Sequence, residues 1–167
     1  WMLKQVNAGS TQYYHTSEPD NMFNNANQDT EIIAPDILPT SHMFWDTGVI
    51  GMHSDLKDPE RVGMTFRSTW YGSNSHAHPD QNSFVIHAYG EDILIDSDYY
   101  EVMGDAWDMG YNRNTWAHNT ITYDGGVGHP PLGITTKGRL NQFIDQRDFK
   151  LASGDAKQAY EEFDKFQ

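Results

Sequence analysis

The 167-residue chain has no cysteine. No disulfide framework can staple it, so its stability has to come from a packed core. It also lacks any run of about 18 apolar residues, which leaves nothing that reads as a membrane-spanning helix. Positive charge is scarce: 11 Lys and Arg stand against 24 Asp and Glu, for a net charge of −13. That balance argues against nucleic acid as partner, because phosphates demand a basic face. A polyanionic ligand of another kind would need its positive field from a local cluster or from a further domain. No secretory leader is legible either, since Trp1-Met2-Leu3-Lys4 lacks a charged segment followed by an apolar one. With Trp1 in first place the chain reads as an excised or processed fragment. No internal repeat is found.

What is present suffices for one domain. A chain of about 150 residues buries roughly 68–70% of its unfolded surface. Residues 1–38, rich in Asn and other polar side chains (NMFNNANQDTE), read as a linker or as the tail of a preceding domain. From Pro39 the texture changes to short apolar runs broken by turn residues. Residues 49–53 and 62–70 read as strands, with Asp46-Thr47-Gly48 as the turn ahead of the first. Residues 83–89 and 93–95 are expected to form a hairpin turning at Gly90-Glu91-Asp92. Residues 121–126 (ITYDGG) suggest another strand closed by a turn, and residues 135–143 and 148–152 two more, with Ser153-Gly154-Asp155 as a turn. Ala156, Ala159, Tyr160, Phe163 and Phe166 fall at helical spacing and read as a packing stripe. Strands at this spacing predict an all-β fold, an antiparallel β-sandwich over residues 39–167.

The chemistry concentrates between Gly72 and Gly128, which hold four of the eight histidines. His76 and His78 are two apart, so an extended chain would point both to one face. Asp96 ends the run ILID, where a carboxylate beside apolar neighbours needs a partner. His118 lies in RNTWAHN. His78, Asp96 and His118 together offer two imidazoles and a carboxylate, a donor set suited to zinc and other divalent transition metals. The bland alternative is that each is a hydrogen-bonded polar residue at a strand end. His87 reads as structural within its strand, and His15, His42, His53 and His129 as loop or surface residues. Tyr99, Tyr100 and Tyr111 admit both packing and sugar-stacking roles. Arg113 either neutralises a substrate carboxylate or pairs with one of the many acids. Gly125, Gly126 and Gly128 read as a turn, since no helix with Lys-Ser/Thr follows.

Three blocks in this order, HAHPDQNSF, GEDILIDSDYY and RNTWAHNTITYDGG, resemble the heparinase II/III-like polysaccharide lyases, among them alginate lyases and related uronate-degrading enzymes. The resemblance implies a β-sandwich that follows an α/α-toroid in a larger parent. It implies a divalent metal, zinc by preference, on His78, Asp96 and His118, with His76 reaching the substrate cleft. It makes His76, Tyr111 and Arg113 the candidate catalytic residues of this segment, acting on an acidic polysaccharide by β-elimination. It further implies a periplasmic or secreted bacterial parent and a toroid that supplies the remaining catalytic groups. Many members have Asp-x-Gly after the hairpin; here the run is Asp96-Ser97-Asp98, which makes Asp98 a competing ligand. Two other classes stay open. One is a jelly-roll non-haem iron oxygenase using His78, Asp80 and His118, although no Arg closely follows the distal His. The other is a non-catalytic carbohydrate-binding sandwich.

Overall fold

The computed structural model describes residues 37–97, 104–130 and 135–160. Residues from Leu38 onward form one compact unit. Residues 1–36 of the linker expected over residues 1–38, together with Asp98, Tyr99, Tyr100 and the end of the C-terminal stripe, lie outside the described residues.

Five strands form an antiparallel meander: β1 (Ser41–Phe44), β2 (Val49–His53), β3 (Gly63–Arg67), β4 (Ser83–Ala88) and β5 (Glu91–Leu94), each hydrogen-bonded to the next in chain order. A second antiparallel pair, β6 (Arg139–Gln146) and β7 (Phe149–Asp155), forms a separate two-stranded sheet. The fold is therefore all-β and antiparallel, as the spacing of short apolar runs predicts.

The strands form where apolar and polar residues alternate. On β2, Ile50 and Met52 are buried while their neighbours are half-buried, the pattern of a sheet with one face in the core. Register carries that face across the meander: Met43 pairs with Ile50, Ile50 with Phe66, and Phe66 with Phe84. Leu140 and Phe143 of β6 and Ala152 of β7 pack onto the same cluster, so the β6–β7 pair covers the inner face of the meander. Burying a side chain such as Ile50 completely stabilises the fold by about 2–3 kcal/mol.

Turns account for the differences from the sequence reading. The β4–β5 turn is centred one step earlier than expected, on Tyr89 and Gly90 with φ of 58° and 76°. Two consecutive left-handed residues give the backbone twist that joins two strands tightly, and Glu91 and Asp92 are thereby already in β5. Gly48, at φ 71°, closes the β1–β2 turn against the backbone of Ser68, where a Cβ would lie 2.3 Å from the Ser68 carbonyl oxygen. Ser153, Gly154 and Asp155 belong to β7 and do not form a turn. The expected ITYDGG strand is reduced to a single bridge between Tyr123 and Val127, because the positive φ of Asp124, Gly125 and Gly126 turns the chain at once. Of the C-terminal stripe, residues Lys157–Ala159 form one 3₁₀ turn with Ala159 buried.

Candidate functional site

The loops joining these strands meet in a layer held by buried polar side chains. Gln81 is fully buried; its Oε1 accepts from the backbone N–H of Thr69 at 2.7 Å and its Nε2 donates to the carbonyl of Thr136 at 3.1 Å. Two threonines lash the segment of His118 along the segment of His78. Thr115 donates to the carbonyl of Pro79 at 3.0 Å, and Thr120 to that of Gln81 at 2.6 Å. Asn119 ties the same segment to the sheet, donating to the carbonyls of Phe84 (3.0 Å) and Ile95 (2.7 Å). Its amide thus holds the backbone next to Asp96, one residue after Ile95.

These ties bring His78, Asp96 and His118 together from three separate loops. The rings of His78 and His118 lie 5.3 Å apart between centroids. His118 is buried, its Nδ1 lies 2.5 Å from Oδ1 of Asp96, and its Nε2 lies 3.0 Å from the carbonyl oxygen of Asn112. Burial lowers the pKa of His78, aided by the neighbouring charges of His118 and Arg113. For Asp96 burial alone would raise the pKa, but the hydrogen bond and charge of His118 outweigh it and hold the carboxyl low. The site therefore favours a neutral imidazole at His78 beside an ionised carboxylate, the protonation states in which both act as ligands.

Both ring nitrogens of His118 face acceptors, a carboxylate on one side and a carbonyl on the other. A neutral imidazole donates only once, so one of these two contacts is not met by a ring N–H of His118. Metal-bound histidines characteristically donate their other N–H to a carbonyl, which is what the Nε2–Asn112 contact provides. Among the described residues, no three His, Cys, Asp or Glu side chains converge as a metal site, and Asp96 bonds directly to the His118 imidazole. The donor set fits a divalent metal in kind, and seating one requires that the Asp96–His118 bond open. The oxygenase set fares worse. Asp80 is buried and its Oδ1 is paired with Arg67, so the carboxylate that set needs is already engaged by a guanidinium.

The chain around His76 is not extended. Ser75 has φ 57°, and Asn74 accepts from the N–H of Ala77 at 3.1 Å, so His76 sits exposed on a turn while His78 is half-buried. The alternation argument for placing both imidazoles on one face therefore does not apply. Arg113 is 2% exposed; its Nε donates to both oxygens of Asp108, at 3.2 and 3.0 Å, and its Nη1 to the carbonyl of Ala77 at 3.4 Å. Of its two sequence readings, pairing with an acid is the one the structure shows. Asp108 is fully buried as well. Burial would raise its pKa, but the N–H of Gly104 and the Arg113 guanidinium hold the carboxyl low. Tyr111 is 41% exposed on the π-helical turn Asp108–Asn112 and stacks on the exposed Trp107, with centroids 4.7 Å apart and planes at 25°.

Sequence reasoning passed over Asp108, Asn112 and Trp107. A five-residue gap between Asp108 and Arg113 matches no helical pairing rule, and a main-chain carbonyl leaves no trace in side-chain pattern. His129 lies in a loop as expected but not on the surface: it is buried, edge-on to Tyr160 at 4.5 Å, and burial drives its pKa down to about 4. His53 is likewise half-buried, while His87 is exposed on β4 and paired with Asp92.

The profile of the family described as "Heparinase II/III-like, C-terminal" matches residues 37–160. Among solved structures, the chain is similar to a heparinase III gene product with methylated lysines, at TM-score 0.64 and 21% identity over 96% of this chain and 23% of that one. It is also similar to a second heparinase III, at TM-score 0.55 and 21% identity over 72% of this chain and 18% of the other. The chain thus spans less than a quarter of the length of either. No protein of curated function matches the sequence.

Proposed function

The chain belongs to the heparinase II/III-like family through its C-terminal domain, and from that premise we propose that it is the β-sandwich part of a polysaccharide lyase. Its substrate class is a uronic-acid-containing polysaccharide of alginate or glycosaminoglycan type, cleaved by β-elimination. The observation that carries this reading is the meeting of His78, Asp96 and His118, with His118 facing acceptors on both ring nitrogens. On this reading the three side chains hold a divalent metal, zinc first, whose chemistry here is to cross-link three loops. The ligands lie on loops lashed to the sheet by Thr115, Asn119 and Thr120, so the ion would set the position of whatever those loops present.

A uronate has a weakly acidic proton at C5 beside its carboxylate, and the glycosidic oxygen leaves from C4. Removing the proton builds charge on the carboxylate, which has to be neutralised as it forms. His76, exposed on its turn, presents an imidazole nitrogen either to take that proton or to bond the carboxylate. Arg113 acts through Ala77, the residue between the two histidines, and holds the turn in place. Trp107 and Tyr111 offer a stacked aromatic face for a sugar ring, with the Tyr111 hydroxyl available for proton transfer to the leaving oxygen. The remaining groups belong to a toroid domain of the parent, and the parent acts in the periplasm or outside the cell. Among the described residues no helix is long and apolar enough to cross a membrane.

The test is an assay of the parent protein on alginate, heparosan and hyaluronate, following the ultraviolet absorbance of the unsaturated product. The expected result is absorbance on one of them, lost by His76→Ala. Sugar binding without product on any polymer would favour the carbohydrate-binding sandwich, to which the exposed aromatic stack also lends itself.

A further inference from the structure

Away from the histidines, a cleft of about 430 Å³ opens where β6 and β7 meet the loop after β3. That volume falls within the ~300–1,000 Å³ of small-molecule sites. Its lining shares no residue with the histidine site and includes Trp70, Lys137, Arg139, Asp155, Lys157 and Gln158. Three of the chain's 11 basic side chains thus face one cleft in a protein of net charge −13. Asp155, the one acid of the lining, is engaged inside the wall. Its Oδ2 accepts from Arg139 Nη2 at 3.1 Å and its Oδ1 from the backbone N–H of Lys157 at 2.8 Å. Trp70 is 44% exposed and contributes its indole to the same cleft. The wall is fixed from behind, where Gly138 donates to the carbonyl of Thr69 at 2.8 Å and a Cβ at Gly138 would meet Ser68 Oγ at 2.4 Å.

We propose that this cleft is a binding site for a short acidic oligosaccharide, separate from the histidine site, with an apolar sugar face on Trp70 and a carboxylate or sulfate between Lys137 and Lys157. An indole face beside cationic side chains matches a ring that is apolar on one side and anionic at its edge. Arg139, held in plane by Asp155, keeps further N–H donors for ring hydroxyls. The three basic side chains supply the local positive field that an acidic ligand needs against a net charge of −13, and a cleft lined by one indole suits a short saccharide. The site deepens the proposed activity by giving the sandwich its own hold on an acidic chain. The binding itself does not require that the histidine site be catalytic.

The probe is a tetrasaccharide of alternating glucuronate and N-acetylglucosamine, titrated into the 167-residue chain in EDTA while Trp indole resonances are followed by NMR. Chitotetraose, sodium sulfate and a single-stranded oligonucleotide serve as comparisons. The expected result is a saturable shift of the Trp70 indole with the acidic tetrasaccharide alone, weakened at least tenfold by Lys137→Glu with Lys157→Glu, while calorimetric titration of Trp70→Ala, which lacks that resonance, shows no binding. Unchanged midpoints in denaturant would show that these variants fold. Equal affinity in the charge-reversed variant, equal binding of chitotetraose, or tighter binding of the oligonucleotide would overturn the proposal. Because chelator is present, failure here leaves the metal reading untouched, and loss of the metal reading leaves this binding intact.

Discussion

The inner face of the meander and the loop layer around His118 are both closed to water, and they exclude it in opposite ways. Between β2, β3 and β6 the buried side chains are Ile50, Met52, Phe66 and Leu140, which have no polar atoms to satisfy. In the loop layer the buried side chains are Gln81, Asp108, Asn112, Arg113, Thr115 and His118. An apolar core tolerates neighbours of similar size and shape. A buried polar layer tolerates only partners that complete its hydrogen bonds, because each bond left unmade costs desolvation with nothing returned. The first region gives the domain its stability. The second fixes where a few side chains sit, which is what a site requires.

The comparison breaks most sharply at Arg113. Replacing it by alanine strands the Asp108 carboxylate in a dry site, and the expected loss is about 3–5 kcal/mol. Ile50→Ala in the apolar core is expected to cost a similar ~2–5 kcal/mol by opening a cavity. The two separate in the second step: Arg113→Met with Asp108→Leu should regain much of the loss, since both charges are then gone. Urea unfolding of the four proteins measures this. If the double variant is no better than Arg113→Ala, the pair is not isolated as described.

A smaller effect follows from His129. Its folded pKa of about 4 lies below the unfolded value of 6.5, so its stabilising contribution is complete above pH 6.5 and is lost as pH falls from there toward 4. The gap between those values corresponds to about 3 kcal/mol at full loss. Thermal unfolding between pH 7 and pH 4 should show a steeper decline for the wild type than for His129→Leu. Parallel curves would mean that His129 has the same pKa in the folded and unfolded states and contributes nothing to the pH dependence.

The smallest change in stability is expected at Tyr111, whose ring is exposed and stacked on Trp107. Tyr111→Ala should cost about 1 kcal/mol or less. In the parent enzyme it should nevertheless raise KM if the stack carries a sugar ring, or lower kcat if the hydroxyl moves a proton. Steady-state kinetics on the responsive polymer distinguishes these outcomes, and unchanged values for both would remove Tyr111 from the site.

The sequence made the first region legible and the second only in part. Alternation in VIGMH and GMTFR is enough to place Ile50, Met52 and Phe66 on one face, because sheet geometry repeats every two residues. The tightness of the Tyr89-Gly90 turn was missed, since Tyr at positive φ runs against its ordinary preference. In the loop layer the motif blocks pointed to His78, Asp96 and His118, which the structure brings together. Their positions rest on Thr115, Asn119 and Thr120 donating to main-chain carbonyls, and no periodicity signals such bonds. Arg113 carried two readings in the sequence, and only its burial against Asp108 separated them. His129 had no partner in view because Tyr160 lies 31 residues and several turns away, by the numbering of the two residues.

The most direct test of the central claim, that His78, Asp96 and His118 are one ligand set, is elemental analysis of the purified chain beside a His78→Ala, His118→Ala variant. The account predicts bound zinc at near-stoichiometric level in the wild type and its loss in the variant, with both proteins folded by circular dichroism. Absence of any divalent metal in the wild type after incubation with zinc, or equal metal in the two proteins, would contradict it.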